Sequence, residues 1–242
     1  AHLDQAAAEV ERLCSAYASH DAKALTVEVN DWLRTLGELV TNGRVNLAGH
    51  ARVISLTGWL ALLRSCLMWD QGQEASCHEA RVAAAGLADD LGDSAMTAWT
   101  WEIQAWIALT RGDMPQVIAM ADAGLSASPR APVAAQLHAQ KAKAYARMRD
   151  QHKAEVSLDA VRRVLDACPT PVNVRNHFNV DPTKASFYAM DTYRVLGSNR
   201  LADAMADSVI KTSTGWDGNA VSPMRLAEAQ LTKAVVQARE GG

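Results

Sequence analysis

The chain has 242 residues, 49% of them apolar, enough for a substantial buried core. Its 24 basic and 27 acidic residues leave a formal charge of −3, so there is no electrostatic footprint for nucleic acid, and sheet-forming runs of Val, Ile, Thr and Tyr are missing. The longest uncharged apolar stretch, residues 53–63, has eleven residues against the ~20 of a membrane span, and the N-terminus AHLDQAAAEVER lacks the basic-then-apolar order of a secretory signal, so a cytoplasmic protein without membrane contact is expected.

In chain order, the first fifty residues read as an irregular helix pair at about 3–19 and 22–41, with Asp21 capping the second. Residues 58–90 then follow a helix-turn-helix pattern with its turn at Gln71-Gly72 and small Ala84 on the second helix. Cys14, Cys66, Cys77 and Cys168 are too widely spaced for a disulfide framework or structural zinc. Cys77 and His78 are neighbours, but adjacent helical residues point about 100° apart and do not converge on one ion. No metal or cofactor is expected.

The pattern repeats from residue 96, with Trp101 at a packing position, small Ala105 at the close helix contact and a turn at Gly112-Asp113. Val117, Ala121 and Gly124 follow on the second helix, and Pro129 stops it. A further copy carries Ala142 and Tyr145, a turn at Arg149-Asp150, then Ala154, Leu158 and Val161 at the spacing of an apolar stripe. Another carries Tyr193, Gly197, Ala202, Ala206 and Val209, and residues 222–242 read as the first helix of one more. Two connections, 168–183 and 212–223, are longer than a hairpin needs, and Pro169, Pro171, Pro182, Pro223, Gly215 and Gly218 forbid continuous helix there. Self-similarity at this period marks stacked helical hairpins. The predicted fold is all-α: TPR-like (tetratricopeptide) helical hairpins in a right-handed superhelix. A single domain is expected over 1–242, with the irregular pair at 1–50, repeats at 51–211, and a loop and terminal helix at 212–242.

The segments ISLTGWLALLRSCLMWDQG, GDSAMTAWTWEIQAWIALTRGD, AGLSASPRAPVAAQLHAQKAKAYARMRD and DPTKASFYAMDTYRVLG carry a resemblance to a known family. The chain resembles the C-terminal TPR-like region of actinobacterial helix-turn-helix transcriptional regulators of the xenobiotic-response-element type. The resemblance implies a region that senses a small molecule or peptide, or mediates assembly, behind a DNA-binding domain. Nothing within these 242 residues reads as that domain, so any DNA contact is expected through a segment outside this sequence.

In repeats of this kind the first helix of each pair lines the concave face. That geometry places Trp59, Leu62, Cys66, Trp69 and Asp70 on the groove, followed by Trp99, Glu102, Trp106 and Thr110. Further along come Gln136, Gln140, Lys143 and Arg147, then Lys184, Phe187, Asp191 and Arg194. The expected groove runs from aromatic to charged. Trp101 falls on the packing side and is assigned to the core. The other tryptophans also suit burial, and the four cations also suit a solvated face; if those cations converge, an anionic ligand or a peptide carboxylate would satisfy them. His177 and Phe178 in the first long loop, and Trp216 in the second, suit either a lid over the groove or anchors pinning each loop to the core.

No phosphate loop, nucleophile elbow or HExxH occurs, and His138 matches a packing position, so no catalytic activity is expected. The expected function is ligand sensing in the groove, with a small molecule or peptide as partner; the alternative is a protein-interaction scaffold with no small-molecule ligand. Self-association to a homodimer is expected through the unfinished last repeat, because an uncapped repeat exposes an apolar face.

Overall fold

The computed structural model describes residues 2–42 and 46–241, which form eleven helices and no named strand. They are α1 (His2–Ala16), α2 (Ala22–Thr41), α3 (Leu47–Asp70), α4 (Glu74–Leu91), α5 (Ser94–Arg111) and α6 (Met114–Ala127). Then come α7 (Val133–Arg147), α8 (Gln151–Ala167), α9 (Lys184–Leu196), α10 (Asn199–Ser213) and α11 (Pro223–Glu240). The all-helical class and the pairing of consecutive helices agree with the periodicity read from the sequence.

One turn chemistry recurs five times. Gly72, Gly92, Gly112 and Gly197 adopt left-handed φ values of 63° to 78°, and Arg149 takes the same position at φ 62°. At each, the left-handed residue donates its N–H three residues back and the following residue donates five back, as in Gly112 N to Leu109 O and Asp113 N to Ala108 O. These bonds satisfy carbonyls that a helix end leaves open, and glycine takes the conformation without the clash a Cβ would bring. In three of the five the next residue is Asp93, Asp113 or Asp150, whose carboxylate accepts the N–H of Met96, Gln116 or Lys153 and caps the next helix. Stop and start signals are thus fused into two residues. The Gly92-Asp93 turn, which joins α4 to α5, escaped the sequence reading because it links one hairpin to the next.

Two boundaries differ from expectation. α1 ends at Ala16, whose carbonyl accepts from both Ser19 and His20. The third helix starts within the predicted N-terminal pair, at Leu47, because the Asn46 side chain accepts from Gly49 N and caps it there.

The chain divides into two compact units. Unit 1 comprises residues 1–104, 123–129 and 171–179; unit 2 comprises 105–122, 130–170 and 180–242. In unit 1, α3 packs against α1, α2 and α4. Leu60, Leu62, Leu63, Cys66 and Leu67 are all at most 1% exposed, and Ala80, Ala84 and Ala88 line the inner side of α4 four residues apart. Packing is tight at Gly58, where a Cβ would lie 2.4 Å from Met96 Sδ. By length and composition α3 reaches the range of a membrane-crossing helix, with a mean hydropathy of 1.3 over 18 residues, unlike the sequence expectation; 56% of that stretch is buried inside the protein. In unit 2, α7 packs on α8 and α9, and α9 on α10 and α11. The small residues of α7, among them Ala135, Ala139, Ala142 and Ala146, are buried.

Candidate functional site

Many of the residues singled out in the sequence fall into two clusters, one in each unit. In unit 1 the centre is the segment 171–179, which carries no helix. Phe178 is 7% exposed and sits between two tryptophans, 5.4 Å from the Trp59 ring and 5.3 Å, edge-on, from Trp99. The His177 ring lies 4.2 Å from the Tyr17 ring, tilted by 51°, and brings Nε2 to 3.7 Å from the Cys66 thiol. Both long-loop residues therefore act as anchors onto an aromatic floor. Such ring pairs add about 0.5–1.5 kcal/mol each beyond the area they bury.

Polar contacts secure the same segment. Glu11 of α1 accepts from Asn173 at 2.5 Å and from Asn176 at 2.7 Å, Ser15 Oγ accepts from Asn173 at 2.8 Å, and His177 N donates to Cys14 O at 3.1 Å. Asn176 and Asn173 also turn the backbone by accepting from Phe178 N and Arg175 N. Burial pushes the Cys66 thiol well up from its ordinary value, and the nearby Glu102 and Asp70 push it further. Burial raises the Tyr17 hydroxyl as well, and the charge of Asp70 adds to the rise. Cys66 is thus a protonated, sheltered thiol.

The tryptophan expectations divide. Trp99 is 3% exposed, Glu102 is buried, and Trp59 and Trp69 are partly buried. Of the four tryptophans expected on the groove, Trp59 and Trp99 both meet the Phe178 ring. Trp101, assigned to the core, is only partly buried, less so than Trp99; the two are about 200° apart on α5, and the segment 171–179 covers the side that holds Trp99. Trp216 is fully exposed and pins nothing: its loop holds itself through Thr214 paired with Ala220 and through Asp217 accepting from Asn219.

In unit 2, α7 and α9 present facing stripes: Gln136, Gln140, Lys143 and Arg147 on one, Lys184, Phe187, Asp191 and Arg194 on the other. The steps of three and four residues put each set on one side of its helix. Asp191 is 5% exposed and receives Arg194 Nη2 at 2.5 Å and Arg147 Nη1 at 3.5 Å. Burial works to raise its carboxyl, but Lys143, Arg147 and Arg194 together outweigh burial and hold it below the usual carboxylate range. Lys143 lies over two rings, 5.7 Å from Phe187 and 5.6 Å from Tyr188, and pairs with no carboxylate among the described residues. Buried Arg194 Nε has no partner among them either. Two arginines therefore pair with Asp191 while Lys143 acts on it at longer range, leaving more positive than negative charge on this face among the described residues.

Sequence reasoning missed three parts of this face. The Tyr188 hydroxyl donates to Gln136, fixing α9 against α7. Arg225 of α11 reaches Asp181 at 3.0 Å and lies 6.0 Å over the Phe187 ring. Tyr188 carried a signal as the neighbour of Phe187, whereas Arg225, 38 positions beyond it, carried none.

No protein-family model matches the chain, and neither the curated proteins nor the solved structures searched contain a match.

Proposed function

We propose that this chain is an effector-binding domain that takes an anionic small molecule, or the carboxylate of a peptide, on the α7–α9 face of unit 2. The observation that carries the reading is the excess of positive charge around Asp191: Lys143, Arg147 and Arg194 converge there, and one carboxylate serves all three. An incoming anion would complete the set with charge-assisted hydrogen bonds, and the Phe187 and Tyr188 rings would shelter it. In the same reading the hairpins are TPR-like units of a right-handed superhelix, and the chain is the sensory part of a cytoplasmic transcriptional regulator. DNA is then contacted only through a domain outside these residues, and no catalytic role or cofactor is proposed.

A second reading, a protein-interaction scaffold that also self-associates, is supported by the α10–α11 end of unit 2. There Trp216, Val221, Met224 and Leu231 are 102%, 65%, 58% and 57% exposed, more apolar surface than a solvated turn requires.

Calorimetric titration of the chain with inorganic phosphate, succinate and a short peptide bearing a free C-terminal carboxylate tests the first reading. Saturable binding is expected, weakening as salt rises, and Lys143→Ala with Arg147→Ala should lower affinity roughly tenfold or more, the worth of a hydrogen bond to a charged group. Arg162→Ala serves as the control, since its pair with Asp159 lies on α8. Absence of binding to all three probes, or equal affinity in the double variant, would overturn the anion site.

A further inference from the structure

In unit 1, His177 and Phe178 of the 171–179 segment lie against Tyr17, Trp59, Trp99 and Cys66. Two features separate the His177–Phe178 contact from ordinary core packing. The first is the chemistry of the floor. Near the Trp59 and Trp99 rings stand the Cys66 thiol, 3.7 Å from the His177 ring nitrogen, the Tyr17 phenol, 4.2 Å from the His177 ring, and the buried carboxyl of Glu102, close enough to raise both Cys66 and Tyr17. Core aromatic clusters do not need titratable groups, whereas ligand sites combine an apolar wall with a few convergent polar ones. The second is the attachment of the covering segment. Among the described residues, a backbone hydrogen bond from His177 N to Cys14 O joins 171–179 to α1, and Asn173 and Asn176 tie the segment to the exposed Glu11 carboxylate. Val172 and Val174, 107% and 46% exposed, add little burial. A short segment anchored at one end by Phe178 and elsewhere by solvent-exposed hydrogen bonds opens at a fraction of the global unfolding free energy.

We propose that Trp59, Trp99, Tyr17 and Cys66 form a binding site for a planar aromatic group bearing a ring nitrogen, which the chain fills with its own His177 and Phe178 until a competing ligand displaces the 171–179 strap. Opening exposes the two indole faces and the Cys66 thiol together. Glu11 is the latch, since it holds both asparagines. A ligand shifts this equilibrium by binding only the open arrangement. None of these residues takes part in the unit 2 anion site, so either proposal can fail without the other.

Cys66 reports on the strap. It is 1% exposed and lies under His177, whereas Cys77, 2% exposed, is held in the α3–α4 contact by Ser65, whose hydroxyl donates to Cys77 O at 3.0 Å. Alkylation of the native chain with iodoacetamide, followed by peptide mapping, separates local opening from global unfolding. Cys66 is expected to react on the order of tenfold or more ahead of Cys77, since strap opening requires only part of the global free energy. Replacing both latch contacts with Asn173→Ala and Asn176→Ala should speed Cys66 by on the order of tenfold or more while leaving Cys77 unchanged, the effect of losing hydrogen bonds to a charged group. Capped histidyl-phenylalanine amide at millimolar concentration should then slow Cys66 alkylation in that variant by refilling the site. Equal rates at Cys66 and Cys77 would show that the strap opens only when the protein unfolds. Failure of the dipeptide to protect Cys66 in the latch variant would show that the floor binds nothing in trans; either result overturns the proposal.

Discussion

The aromatic cluster of unit 1 and the charged face of unit 2 both lie on helices whose periodicity is plain in the sequence, yet they solve opposite problems. In unit 1, Phe178 and His177 pack on Trp59, Trp99 and Tyr17, burying Trp99 and covering part of the other two rings. In unit 2, Asp191 is the one counter-charge to three cations among the described residues, and the Lys143 ammonium is held over rings. An apolar surface can be satisfied by any loop of suitable shape, because burial is non-directional. A set of cations needs anions at defined positions, and residues close in sequence supply only one here. The first region is therefore self-complementary, whereas the second has unused capacity for an anion.

Three changes test that contrast. The largest effect is expected from Phe178→Ala, which empties the space between Trp59 and Trp99 and should cost about 3–5 kcal/mol in urea unfolding, the range for truncating a buried aromatic residue. A loss below about 1 kcal/mol would mean that Phe178 covers the tryptophans without being packed between them, and the contrast would fail on the unit 1 side.

Asp191→Asn should cost about 1–3 kcal/mol near neutral pH, through loss of hydrogen bonds to a charged acceptor. Its acid dependence carries the sharper information. The Asp191 carboxyl sits below its ordinary value in the folded chain, so its stabilisation is complete above about pH 4 and disappears as pH falls through the lower folded value. Thermal unfolding of the native chain and the Asn variant should therefore converge below about pH 4. A constant gap between the two would show that Asp191 acts through shape rather than charge.

The smallest effect belongs to Arg162→Ala. Its pair with Asp159 is 2.7 Å long, but both side chains are about half exposed, so the change should stay within about 0.5 kcal/mol. A comparable result for Asp191→Asn would remove the distinction between a surface pair and the buried α7–α9 carboxylate.

Residue type and spacing were sufficient for much of this architecture. Glycines at 72, 112 and 197 and the Arg149-Asp150 turn each stand where a helix ends, because left-handed geometry and an aspartate cap are local requirements that a few residues can meet alone. The two stripes of α7 and α9 followed from helical spacing in the same way. The division of the tryptophans did not. Trp99 and Trp101 have similar helical neighbours, and which one is buried depended on where residues 171–179, more than seventy positions later, came to rest. Spacing likewise put Asp191 on a face with Arg194, but the arrival of Lys143 and Arg147 from α7 decided the state of its carboxyl. Helices, turns and faces are set by short-range sterics and hydrogen bonds, so the sequence alone determined them. Coverage of a face, sharing of a counter-charge and the shelter of Cys66 arise from segments far apart in the chain, so only the tertiary structure decided them.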